Sequence, residues 1–213
     1  TKRVAGVARK VAEQTLDELR QLDVGAWKDA KFRGERLPTL VEALETIPPD
    51  RRMFVEIKCG VEGVPAILAA IAKAASHSAE SGRTKLSARH TPIISFHADV
   101  IAAVKRARPD LTAYWIVAWR RDKQGQAPTI DELLEKARRI QADGLDLVDS
   151  PLLDAQAVAA VRAAKLPRYV WTVDDAAAAG RLVALGVDGI TTNRPGWLRS
   201  QLQEAATASD KTP

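Results

Sequence analysis

The chain has 213 residues, 46 % of them hydrophobic, enough for one sizeable core and short of the length at which two independent domains become the better expectation. Its formal charge of +5 is spread along the sequence with no basic stripe, which argues against nucleic acid as a partner. No run of 18 apolar residues occurs, since Lys73 interrupts even the alanine-rich stretch from 66 to 75, so no transmembrane segment is expected and the protein should be soluble. The single cysteine, Cys59, excludes an internal disulfide framework and leaves the compartment open.

The first fifty residues hold helix signals and a polar turn but no convincing strand. Thr15 with Glu18 and Thr39 with Glu42 fit the capping box, in which hydroxyl and carboxylate satisfy the orphaned amides of a first helical turn, and Thr129 with Glu132 repeats the pattern later. From residue 51 the chain changes character. β-prone apolar runs recur at 53–57, 92–96, 112–117, 144–148, 168–173 and 187–191. Between them lie segments with the 3.6-residue apolar period, such as Val100, Ile101 and Val104, then Leu133, Leu134 and Ala137, then Val158 and Val161. Gly186 predicts a helix stop, and Pro195 the first turn of a last helix. The polar stretch from Ser76 to Thr91, which contains His77 and His90, reads as a long exposed insertion with no catalytic part to play.

Strand starts recur every 27 residues or so, about what one βα unit of a (β/α)8 barrel occupies. Six such units imply an α/β fold with parallel strands under helices, as an open doubly wound sheet or a closed barrel, and periodicity alone does not choose between them. The chain is expected to be a single domain over 1–213: a helical and loop segment at 1–50, six βα units at 51–204 and a tail at 205–213.

Phe54-Val55-Glu56-Ile57-Lys58 carries the strongest chemical signal. On a strand Glu56 and Lys58 share one face while Val55 and Ile57 share the other, toward the helices, and about 6–7 Å separates alternate positions. A carboxylate and an ammonium so placed at a strand's C-terminal end can hold a metal ion and a phosphate oxygen; a plain salt bridge at the barrel mouth is the simpler alternative. Trp171 ends another strand and offers an apolar wall for the organic part of a ligand, with core packing as the alternative. Phe96 stands at a comparable position and can line the same cavity. His97, next to it, is a conceivable acid or base, but Phe96 claims the inward direction. Asn193 should reach the barrel mouth or its rim, and Arg194 reads as a solvated surface group. No His/Cys spacing typical of a metal site is present.

Phe-Val-Glu-Ile-Lys at 54–58, Ile-Ser-Phe at 94–96, Val-Trp-Thr-Val-Asp at 170–174 and Leu-Gly-Val-Asp-Gly-Ile-Thr-Thr-Asn-Arg-Pro at 185–195 together resemble, in order and spacing, the glycerophosphodiester phosphodiesterase family. Upstream, Leu22-Asp-Val-Gly-Ala-Trp27 and the segment from Phe32 to Leu44 are similar to the stretch before that family's glutamate–lysine strand. The resemblance runs from Thr15 to Leu202. It implies a (β/α)8 TIM-type barrel that hydrolyses small-molecule glycerophosphodiesters to an alcohol and glycerol 3-phosphate, with a divalent cation and a histidine acid–base pair. Carried onto this sequence, Glu56 is implied as a metal ligand, Lys58 as the catalytic phosphate-stabilising cation, and Trp171 as a wall of the glycerol pocket. Calcium or magnesium suits such oxygen ligands.

The family's His-Arg, Glu-x-Asp and His-Asp strings do not occur here. Thr1-Lys-Arg-Val-Ala-Gly6 is similar to the stretch just after the second histidine, so the first barrel strands and the histidine pair are expected upstream of Thr1. A sphingomyelinase D-like lipid phosphodiesterase and a non-catalytic phosphate-binding barrel remnant are the alternative functions.

Overall fold

The structure, a computed structural model, describes residues 1–80 and 86–209. It divides into two compact units, Thr1–Arg51 with Ile67–Leu86, and Arg52–Ala66 with Ser87–Pro213. Among the described residues no helix is long and apolar enough to cross a membrane.

The first unit carries α1 (Lys2–Ala5), α2 (Leu16–Arg20), α3 (Leu40–Leu44) and most of α4 (Val64–Glu80). The capping boxes expected at Thr15 and Thr39 both form, each hydroxyl accepting the amide of the glutamate three residues on. Leu19, Leu44 and Ile47 are buried. Between α2 and α3 the Asp23 carboxylate accepts from the amides of Gly25, Ala26 and Gly34, and these bonds pull its pKa down to about 2. The segment expected as an exposed insertion is partly neither: α4 continues through His77 to Glu80, and His90 is buried beneath the short 3-10 turn of Ala88–His90. Alanine-rich periodicity extends the helix past the point where serine and histidine suggested a loop; residues 81–85 of that stretch lie outside the described residues.

The second unit is the βα repeat. Its strands are β1 (Val55–Glu56), β2 (Ile93–Ser95), β3 (Ala113–Val117), β4 (Gly144–Val148), β5 (Arg168–Trp171) and β6 (Gly189–Ile190), all inside the six predicted runs. They pair in parallel and in sequence order, β1 to β6. The crossovers are α5 (Ala98–Ala107), α6 (Ile130–Arg139), α7 (Ala155–Ala163) and α8 (Ala176–Leu185), with α9 (Pro195–Ser209) last. Thr129 caps α6 as expected, and Gly186 ends α8 at φ 82°, a left-handed conformation that glycine adopts without steric penalty.

Strand order and side-chain contacts decide between open sheet and barrel. A doubly wound sheet reverses its strand order at a switch point, and this sheet never reverses. The Phe54 ring, just before β1, lies 5.5 Å from that of Tyr169 on β5, although four inter-strand steps in a flat sheet would place them about 19 Å apart. The sheet is therefore strongly curled, as in a (β/α)8 barrel. Its convex face meets the helices through Val55, Ile57, Ile93, Ala113, Trp115, Leu145, Leu147 and Val170, all buried. Lys136 of α6 stacks 4.7 Å over the Trp115 ring on that side. The concave face carries Glu56, Ile94, Tyr114, Ile116, Asp146, Val148, Tyr169 and Trp171. Six strands are two fewer than the barrel holds, and among the described residues β1 and β6 each pair on one side only.

Packing on the concave face is set by two glycines. Tyr114 is registered with Gly144 and Tyr169 with Gly189, so each ring lies over the glycine of the next strand. A Cβ at Gly144 would come within 2.8 Å of the Tyr114 ring, and one at Gly189 within 2.7 Å of the Tyr169 ring. With Phe54 the two tyrosines make an aromatic cluster below the carboxylates, their centroids 5.0 Å apart. Burial, with the neighbouring Tyr169 hydroxyl, pushes the Tyr114 phenol well above its ordinary range.

Candidate functional site

Glu56 is the last residue of β1, and Lys58 lies two residues beyond, past the end of the strand. Alternation still holds: Val55 and Ile57 are buried on the helix side while Glu56 and Lys58 take the other. In place of the 6–7 Å separation read from strand geometry, the lysine folds back, and its Nζ lies 2.9 Å from Glu56 Oε2. Lys58 is 78 % exposed and Glu56 28 %, so the carboxylate is the seated member and the ammonium the movable one. An ion pair so open to water is worth at most about 1 kcal/mol and is readily exchanged for another partner.

Asp146 is the residue that sequence reasoning missed. It is the middle residue of β4, on the same concave face, only 5 % exposed, and its Oδ1 is buried without a hydrogen-bond partner. Burial, and secondarily the negative charge of Glu56, push its pKa up to about 7. The signal was present in Gly144-Leu-Asp-Leu-Val148, where one acid interrupts an otherwise apolar, fully buried strand.

Trp171 closes β5 and donates its indole N–H to the main-chain carbonyl of Asp146 at 3.1 Å. The Phe96 ring, 44 % exposed, meets the Trp171 ring edge to face at 5.3 Å, so these two predicted wall residues do come together. Phe96 is itself held by the Trp115 indole, which donates to its carbonyl. Below it, Ser95 Oγ donates to the Ile57 carbonyl and accepts the His97 amide, tying the ends of β1 and β2. His97 is exposed at the N-cap of α5, and its side chain does not cap the helix.

Beyond β5, Asp174 accepts from Thr192 Oγ1 and from the amide and side-chain nitrogen of Asn193, at 2.7 to 2.8 Å. These bonds, the Asn193 side chain's first, hold its carboxyl below the usual range. Asn193 is thus committed to joining the loops after β5 and β6. Arg194 stacks 3.8 Å over the Trp197 ring, on the surface. Next to the site, Asp149 and Arg181 form an ion pair lining a groove of about 650 Å³ with Ser150, Pro151, Leu153 and Ala178.

Chemically, the concave face offers two carboxylates of unequal burial, one mobile ammonium and an aromatic wall, all at or toward the C-terminal ends of strands. This suits a ligand with a positive centre, an anionic group and a short organic part. Among the described residues, no three His, Cys, Asp or Glu side chains cluster closely enough to hold a metal ion by themselves. The orphaned Oδ1 of Asp146 facing the same side as Glu56 nonetheless fits an oxygen-seeking cation.

The model of the glycerophosphoryl diester phosphodiesterase family matches residues 1–197. A glycerophosphodiester phosphodiesterase of Caldanaerobacter subterraneus subsp. tengcongensis is 28 % identical over 87 % of the chain and 70 % of its own length. One from Arabidopsis thaliana is 25 % identical over 93 % of the chain and 56 % of its own length, so the chain spans little more than half of that relative. The solved structure of an Oleispira antarctica phosphodiesterase in complex with the product sn-glycerol-3-phosphate superposes with a TM-score of 0.74 at 21 % identity, covering 95 % of this chain and 76 % of that one. A glycerophosphodiester phosphodiesterase from Agrobacterium tumefaciens gives 0.68 at 20 % identity, over 94 % and 77 %. With the family model covering nearly the whole chain and the curled parallel sheet shared with these structures, the chain belongs to the glycerophosphoryl diester phosphodiesterase family.

Proposed function

We propose that the protein hydrolyses small glycerophosphodiesters to glycerol 3-phosphate and an alcohol, with Glu56, Lys58, Trp171 and Phe96 in the site. The observation that carries this reading is the seated Glu56 with the mobile Lys58 at the end of β1, in a chain of this family. Glu56 would help hold a divalent cation, calcium or magnesium, which when bound neutralises negative charge on the phosphate. Lys58 releases Glu56 and turns its ammonium to a phosphate oxygen, adding a positive centre where charge develops in the transition state. Trp171 and Phe96 pack the glycerol part and shield the phosphate from bulk water.

Proton transfer needs groups that these residues do not supply. His77 Nδ1 is bonded to Glu45, His90 is buried, and His97 stands exposed at its helix start. The acid–base pair that the resemblance implies therefore has no counterpart among the described residues.

The test is cation-dependent release of glycerol 3-phosphate from glycerophosphocholine by the protein encoded by its complete reading frame. Glu56→Gln and Lys58→Ala should each lower kcat/KM by 100-fold or so, a loss of about 3 kcal/mol of transition-state stabilisation, while leaving the fold intact. Unchanged turnover in both variants would refute the assignment.

A further inference from the structure

We propose that Asp146 is a positioning carboxylate of the site and that it forms with Glu56 a two-carboxylate seat for one divalent cation. The proposal deepens the functional reading above and rests on it.

A carboxylate taken out of water needs a partner, because the hydration it gives up is worth several kcal/mol. Asp146 is nine-tenths buried, and its Oδ1 has no hydrogen-bond partner. Its strand neighbours on the concave face, Gly144 and Val148, bring no side-chain donor; of its registered neighbours, Ile116 on β3 brings none, and Tyr169 on β5 has its hydroxyl engaged with that of Tyr114. The nearest cation of the site, Lys58, is engaged by Glu56. Elsewhere in this unit buried charges are matched with care. Lys105 donates to Asp143 and to two carbonyls, and Arg168 to the carbonyls of Gly186 and Leu166. Asp146 is the exception among the described residues of β4, level with Tyr169 and two residues before the position registered with Trp171.

The second observation is that the site holds Asp146 in place from outside the carboxylate. Trp171 bonds its carbonyl, and the Trp171 ring is braced in turn by Phe96. A buried carboxylate on a main chain so held, with one oxygen left without a partner, is placed to take that partner from the ligand. Phe54, two residues before Glu56 on this face, meets the ring of Tyr169, the registered neighbour of Asp146, so the curl of the sheet turns Glu56 toward Asp146. Carboxylates from two strands on one concave face are the kind of oxygen donors that suit a hard dication. In this arrangement Asp146 would hold the cation together with Glu56, and Lys58 would be free to meet a phosphate oxygen.

The experiment is calorimetric titration of calcium, and separately magnesium, into the protein at pH 8, with no substrate present. The wild type should bind one equivalent. Asp146→Asn and Glu56→Gln should each weaken binding at least tenfold, with circular dichroism unchanged and with Asp146→Asn melting no lower than wild type. Cation affinity lost in a variant of undiminished stability is not a structural side effect. Asp146→Ser serves as a second variant if the asparagine form does not fold. Wild-type affinity in Asp146→Asn, with Glu56→Gln weakened, would overturn this inference and leave Glu56 as a cation ligand. No binding by the wild type would overturn both.

Discussion

The indole N–H of Trp171 donates to the main-chain carbonyl of Asp146 at 3.1 Å, which ties the wall of the site to the strand that carries its buried carboxylate. Trp171→Phe leaves an aromatic ring toward Phe96 but removes that bond and part of the indole's surface. It should lower stability by about 1 kcal/mol in urea unfolding and raise KM for glycerophosphocholine more than it lowers kcat. An equal fall in kcat with KM untouched would place Trp171 outside substrate contact.

Asp146 should make stability depend on pH in an unusual direction. Its carboxyl titrates at about 7 in the folded protein, against an ordinary value of 3.8. Between those values the folded state holds a proton that the unfolded chain has lost, so the contribution is complete below about pH 4, falls as pH rises, and is gone above about 7. The difference amounts to something on the order of 4 kcal/mol. The stability difference between wild type and Asp146→Asn, followed by urea unfolding from pH 4 to 8, should therefore shift steadily in favour of asparagine; a flat difference would contradict a buried, protonated carboxyl.

Gly144→Ala and Gly189→Ala should each destabilise the sheet by roughly 1–3 kcal/mol through overpacking. The new methyl at 144 would also meet the Pro167 carbonyl oxygen at 2.6 Å, backbone that cannot swing aside. Gly144→Ala is thus expected to be the worse of the two in thermal melts, and equal melting points would show that only ring displacement matters.

Lys105 is nearly buried at the end of α5 and binds Asp143, while the same carboxylate accepts the Ala113 amide at the start of β3. Lys105→Met should cost about 2–3 kcal/mol, less than the roughly 3–5 of a fully buried pair because Asp143 keeps contact with water. Activity per folded molecule should not change, since the pair lies at the opposite strand end from Glu56.

Most of the second unit was readable from the sequence because its signals are local. Strand runs, helix periods, the Thr129 box and the Gly186 stop are each set by a few neighbouring residues. Curl was not readable from local signals, and only the family resemblance implied it. It depends on Phe54 touching Tyr169 across more than a hundred residues, a contact that no window of sequence contains. The site was half legible for the same reason. Alternation placed Glu56 and Lys58 on one face, but the fold-back of Lys58 and the isolation of Asp146 depend on what each side chain finds around it. The serine-rich end of α4 misled because composition was read ahead of period; Ala74 and Ser78, four residues apart, are both buried on one face.

The two tyrosine–glycine pairs have a consequence for how such a chain can change over generations. A bulky ring on one strand and an empty place on the next are a single trait written at two distant sites, 114 with 144 and 169 with 189. A larger residue arriving at the glycine first meets an occupied space, whereas a smaller one arriving at the tyrosine first opens a hole beneath the carboxylates. Lineages should therefore keep both members or exchange both, and the floor beneath Glu56 and Asp146 should drift more slowly than the loops above it.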